Sequence, residues 1–92
     1  MHDTHRESIM AKRVILGVHI SNRSVNATRV QQLFTEYGCS IKTRLGLHDI
    51  ESNQCSPSGL ILLELHGVQK DAAALEKKLR ILKGVTVKKM AF

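Results

Sequence analysis

The spacing of apolar positions along the chain switches between two periods. Val14, Leu16, Val18 and Ile20 alternate with Ile15, Gly17 and His19, the two-residue repeat of a strand over residues 13–20. Ser21, Asn22, Arg23 and Ser24 then read as a turn that supplies a helix N-cap. Val30, Leu33, Phe34 and Tyr37 fall at i, i+3, i+4 and i+7, one stripe of an amphipathic helix, and Gly38 is placed to end it in a left-handed conformation. Period two returns in residues 39–48 and 59–65. In the first of these, Ile41, Thr43, Leu45 and Leu47 share one face, and Lys42, Arg44, Gly46 and His48 the other. In the second, Ile61, Leu63 and Leu65 oppose Leu60, Leu62, Glu64 and His66. A polar loop over about residues 49–57 would join them as a hairpin, pairing Lys42 with Glu64 and setting Ile41, Thr43 and Leu45 beside Leu65, Leu63 and Ile61. Asp71 can start a second helix whose stripe is Ala72, Leu75, Leu79 and Leu82, and Gly84 can end it. Lys77, Lys78, Arg80 and Lys83 lie toward its C-terminal end, where the helix dipole favours cations. Residues 85–92 begin with alternation and read as a last strand. Residues 1–11 form a polar extension, expected to be mobile, and residues 12–92 a single domain.

The order is β-α-β-β-α-β, which predicts an α+β ferredoxin-like sandwich. Right-handed crossovers put the four strands in spatial order 4-1-3-2 with both helices on one face. The covered face would take Val14, Leu16, Val18, Ile41, Leu45, Ile61, Leu63 and Leu65. The other would show Ile15, Gly17, His19, Lys42, Arg44, Leu60, Leu62 and Glu64. That second face is too apolar for plain exposure to water, and Gly17 and Gly46 would permit close approach. A homodimer or homotetramer built through the sheet is the expectation.

Charge and chemistry narrow the classes of function. The net charge of +6 is spread along the chain, so solubility accounts for it as well as an anionic partner does. The two cysteines, Cys39 and Cys55, make no disulfide framework, and the first twelve residues are charged rather than apolar. The longest apolar run, residues 60–63, is far below the ~20 residues that cross a bilayer. A reduced cytoplasmic protein without a membrane partner is expected. The central strands carry no aromatics on which bases could stack, so direct nucleic-acid binding is disfavoured. The loop after the first strand lacks the glycines of a phosphate cradle and has no Cys-x-x-Cys. No Ser/His/Asp or paired-carboxylate arrangement stands out, so no catalytic residue is assigned and the chain is expected not to be an enzyme.

One end of the predicted sheet gathers His19, His48 and the loop of Cys55. Imidazole and thiolate suit a transition metal such as nickel or zinc, which makes His48 and Cys55 candidate metal ligands. The strands of His19 and His48 would lie two strand spacings apart, ~9.6 Å, so one ion could join both only if the side chains converge or a second subunit contributes. The competing reading is a loop cysteine and a surface histidine with no ligand. Arg44, with Lys42 on the same face, could clamp a phosphate or carboxylate, or simply pair with Glu64. Cys39 and His66, at the opposite end, read as ordinary strand-end residues.

Two segments carry a family resemblance. Residues 37–48 (YGCSIKTRLGLH) and 55–65 (CSPSGLILLEL), with Asn22 and Arg23 before the first helix and Lys83, Gly84 and Val85 before the last strand, resemble the ACT-like iron-only hydrogenase system regulator family over residues 12–90. The resemblance implies an ACT-like ferredoxin fold, self-association, and a non-enzymatic regulatory role. A small ligand would be bound near Gly17, His19, Arg44 and Gly46 at a subunit interface, with a DNA-binding or other regulatory protein as a further partner. A more distant likeness is to the C-terminal domain of the nickel-responsive repressor. There a strand ends in His-x-His and a cysteine follows in the next loop; here Gly46, His48 and Cys55 take those places. A ligand-free adaptor that holds a partner through the same sheet face is the alternative.

Overall fold

A computed structural model of the chain describes residues 8–21, 25–51 and 54–92, with side chains described except at 48–51 and 54–58. The elements are β1 (Val14–Ile20), α1 (Ala27–Glu36), a 3-10 turn (Gly38–Ser40), β2 (Ile41–Glu51), β3 (Gln54–Leu65), α2 (Gln69–Arg80) and β4 (Val85–Ala91). Every strand pair is antiparallel and the spatial order is β2-β3-β1-β4. This is the expected ferredoxin-like α+β arrangement.

One face of the sheet builds the core with both helices. Val14, Leu16, Val18 and Ile20 of β1 lie with Leu63 and Leu65 of β3 and Val85 and Val87 of β4. Val30, Leu33 and Phe34 of α1 and Ala72, Leu75 and Leu79 of α2 close over them. The helix stripes are thus those the 3.6-residue period predicts. Ser40 is the buried polar residue of the described set; its backbone N–H donates to Tyr37 O and its carbonyl accepts from His66 N–H.

Several local expectations are corrected. Gly38 does not take a left-handed conformation; it opens the 3-10 turn that leads straight into β2. The left-handed glycines are Gly84 and Gly67, with φ of 81° and 86°; Gly84, expected to end α2, lies beyond its last residue, Arg80, and just before β4. α2 begins at Gln69, two residues before Asp71, which instead sits in its first turn. The polar extension expected over residues 1–11 is in part docked, at Ser8, Ile9 and Met10. Ile9 bridges Val68, Met10 N–H donates to Gly67 O at 2.9 Å, and Gln69 N–H donates to Ser8 O at 2.8 Å. Residues 1–7 and the turn at 22–24 lie outside the described residues. The hairpin is also longer than expected: pairing continues through Ile50 with Cys55 and Glu51 with Gln54, so the segment read as a loop over 49–57 is mostly strand.

The register of β2 carries the largest correction. Ile41 pairs with Leu65, but Thr43 pairs with Glu64, Arg44 with Leu63, Leu45 with Leu62 and Leu47 with Leu60. Two steps along β2 match one along β3, so Lys42 is the extra residue of a bulge. A one-residue insertion transfers every later side chain to the other face. Thr43, Leu45 and Leu47 therefore leave the helix-covered face, and Arg44 and Gly46 enter it. The cause lies in what each face offers. At Gly46 no heavy atom stands within 4 Å of where a Cβ would project, so the helix layer does not pack closely on the backbone there. Arg44 suits that side: its guanidinium carbon lies 4.8 Å from the Phe34 ring centroid and its Nη2 donates to Gln31 Oε1.

Candidate functional site on the open face of the sheet

On the face away from the helices, cross-strand pairing arranges side chains in rows that run β4-β1-β3-β2. One row is Met90, Ile15, Glu64 and Thr43; the next is Lys88, Gly17, Leu62 and Leu45; the third is Thr86, His19, Leu60 and Leu47. Leucines and Ile15 occupy its centre and β2 side, while Lys88 and Thr86 on β4 make the opposite margin polar. Leu45 and Leu47, neighbours on β2, are 52% and 41% exposed, which is high for large apolar side chains set side by side, and Met90 on the opposite edge strand is 51% exposed. Gly17 sits in the middle row. A Cβ there would meet Leu62 Cδ2 at 3.8 Å and Leu60 Cδ1 at 3.9 Å, so the glycine keeps the face low between β1 and β3.

Glu64 and Arg13 close one end of this surface. Arg13 Nε donates to Glu64 Oε2 at 2.9 Å. That hydrogen bond, and secondarily the charges of Arg13, Lys42 and His66, hold the Glu64 carboxyl below its ordinary pKa against the opposing effect of burial. Glu64 was expected to pair with Lys42; the bulge moves Lys42 out of register and Arg13 takes its place.

The structure divides the residues singled out from sequence. Gly17 and His19 lie together on the open face, His19 exposed between Leu60 and Thr86 in register. Arg44 and Gly46 lie on the reverse face, opposite Leu63 and Ile61. A surface of one subunit therefore does not present all four. The backbone of His48 pairs with Gly59, at the same end of the sheet as Ile20, and Cys55 pairs with Ile50 farther along the hairpin. Their positions differ by about two residue rises, ~7 Å, and one strand spacing. The side chains of His48 and Cys55 lie outside the described residues. Among the described residues no group of three or more His, Cys, Asp or Glu side chains could hold a metal ion. Sequence reasoning missed Leu45 and Leu47 as members of the open face. The signal available was that both faces of β3 are apolar, Ile61, Leu63 and Leu65 on one and Leu60 and Leu62 on the other, so the leucines of β2 find apolar partners in either register.

Solved structures share this architecture. An uncharacterized protein from Thermotoga maritima matches with a TM-score of 0.72 and 23% identity, covering 88% of this chain and 96% of the other. A candidate PII-like signaling protein from Thermus thermophilus matches with a TM-score of 0.51 and 11% identity over 88% of this chain and 89% of that one. A formyltetrahydrofolate deformylase from Pseudomonas putida matches at 0.52 and 15% identity, covering 87% of this chain but only 29% of the deformylase. At such identities the likeness establishes the fold. No family model matches the chain, and no curated protein matches it. Among the described residues no helix is long and apolar enough to cross a membrane.

Proposed function

We propose that this chain is a non-enzymatic ACT-like regulatory module, of the kind found in the iron-only hydrogenase system regulators. In this reading it self-associates through the open face of its sheet and responds to a small ligand or a metal ion bound where subunits meet. The observation that carries the reading is the set of exposed leucines, Leu45 and Leu47, in register with Leu62 and Leu60 around the low point at Gly17. Two such faces stacked about 10 Å apart would exclude water from these side chains, and a two-fold axis would let each subunit offer the same patch. The neighbouring fold of a PII-like signaling candidate supports the regulatory class.

Within the assembly Gly17 and His19 belong to the contact where the ligand would bind, while Arg44 and Gly46, on the reverse face, lie away from it. His48 and Cys55, along the hairpin, are the metal candidates, for nickel or zinc. A ligand shared between subunits would couple occupancy to assembly by mass action.

Native mass spectrometry of the wild-type protein and of Leu62→Glu tests assembly. A homo-oligomer that the variant converts to a folded monomer is expected; a wild-type monomer at high concentration overturns the reading. Calorimetric titration with zinc and with nickel, on wild type and on His48→Ala/Cys55→Ser, tests the metal. Saturable heats lost in the double variant are expected. Featureless heats in both proteins discard the metal and leave a ligand-free adaptor.

A further inference from the structure

On the helix side of the sheet, away from the surface just described, residues 10–12 of the docked segment border a half-open pocket of about 380 Å³. Its floor is Val14, Leu65 and Ala91, contributed by the paired ends of β1, β3 and β4. Its wall is one stripe of α2, with Gln69, Ala72, Ala73 and Glu76 at i, i+3, i+4 and i+7. The hollow exists because small residues stand where the rest of α2 uses leucine. Ala72 and Ala73 stop short of the floor, and Ala91 stops short of the helix. Met10 and Lys12 complete the lining.

The polar groups at the mouth are of one dominant sign. Glu76 is already engaged by two cations, with Arg80 Nε at 2.9 Å and Lys89 Nζ at 3.6 Å. Lys12 lines the same cavity and makes no ion pair among the described residues. The mouth therefore carries a surplus of positive charge over an aliphatic interior. The segment is held by two backbone hydrogen bonds, Met10 to Gly67 and Gln69 to Ser8, and by Met10 packed against the core before the chain enters β1.

We propose that this cavity is a binding site for a small aliphatic carboxylate, with the hydrocarbon body between the alanines of α2 and the sheet floor and the carboxylate at Lys12. The volume lies at the lower end of the range of small-molecule sites, about 300–1,000 Å³, which fits a short chain rather than a long acyl group. The alanine walls exclude nothing by polarity and reward apolar contact, and the cationic mouth selects a single negative charge at one end. The site is independent of the sheet-face assembly and stands whether or not that assembly forms.

Sodium octanoate, kept below its micellar concentration, is the probe, titrated into the isotope-labelled full chain and followed by amide NMR shifts. Saturable shifts are expected at Met10, Lys12, Ala73 and Lys89. Ala73→Leu, which fills the cavity from the helix, and Ala91→Val, which fills it from the sheet, are each expected to weaken binding by about tenfold or more while the other amides keep their positions. Lys12→Glu is expected to weaken octanoate about fivefold and to leave 1-octanol unaffected. Three results each overturn the proposal: no saturable shift in wild type, shifts that map to Leu45 and Leu62 on the open face instead, or affinity that survives both cavity-filling variants.

Discussion

Gly67 holds φ at 86° where the chain leaves β3 for α2, and a Cβ there would also stand 3.8 Å from the Cys39 carbonyl oxygen. Any L side chain at that position is strained by the backbone alone. Gly67→Ala is expected to cost about 1 kcal/mol in urea unfolding. Gly46 gives the opposite expectation. It lies in extended strand with open space where a Cβ would go, so Gly46→Ala should gain about 0.5 kcal/mol in the same measurement. Glu64 defines the pH response at this scale. Its folded pKa is lowered, chiefly by the hydrogen bond from Arg13, so the stabilisation it provides is fully present above its ordinary value of 4.5 and is lost as pH falls through the lower folded value. Glu64→Gln should lower the neutral plateau of a stability-against-pH curve and flatten its acid limb below about pH 4.5, so that the variant and wild-type curves converge at low pH.

Strands and helices differ in how plainly their residues announced them. Both helix stripes were legible because a 3.6-residue period has one buried solution: Val30, Leu33 and Phe34, then Ala72, Leu75 and Leu79, all face the sheet. β1 was equally plain, since Val14, Leu16, Val18 and Ile20 are buried without exception. β2 was not. Its alternation predicts Leu45 on the covered face, but the bulge at Lys42 reverses everything after it. The sequence carries no glycine or proline there to mark the irregularity. What accompanies it is open space beside Gly46 and the seat of Arg44 over Phe34, both properties of neighbouring elements. Cross-strand NOEs check this register directly. Contacts of Leu45 with Leu62 and of Leu47 with Leu60 are expected; contacts of Leu45 with Ile61 and of Thr43 with Leu63 would restore the unbulged pairing. The docking of Ile9 on Val68 was illegible for a related reason: one bridge and two hydrogen bonds leave no periodic trace.

For the whole molecule, the two faces of the sheet should respond to substitution in different ways. Leu63 is fully buried against the helices, and Leu63→Ala should lower stability by about 2–5 kcal/mol through the cavity it leaves. Leu45 is half exposed on the other face, and Leu45→Glu should keep the stability of the isolated subunit within about 0.5 kcal/mol while reducing the mass observed by light scattering. An unchanged mass with Leu45→Glu would detach that leucine from any assembly contact. The candidate site was only half legible for the same geometric reason. Gly17 and His19 were placed correctly on the open face because β1 is regular, whereas Arg44 and Gly46 were placed with them and lie on the reverse side.

The sequence alone determined the order of elements, the strand arrangement, the core stripes of both helices and the excess of apolar residues that a single layer of helices cannot cover. These follow from local periods and from chain connectivity, which act within a few residues or through handedness. Only the tertiary structure decided which leucines of β2 face away from the helices, that Ser8, Ile9 and Met10 dock beside α2, and that the alanines of α2 and β4 line a half-open pocket with Lys12 at its mouth. Each of those outcomes depends on how much surface one element presents to another far away in the chain, a quantity that no local pattern encodes.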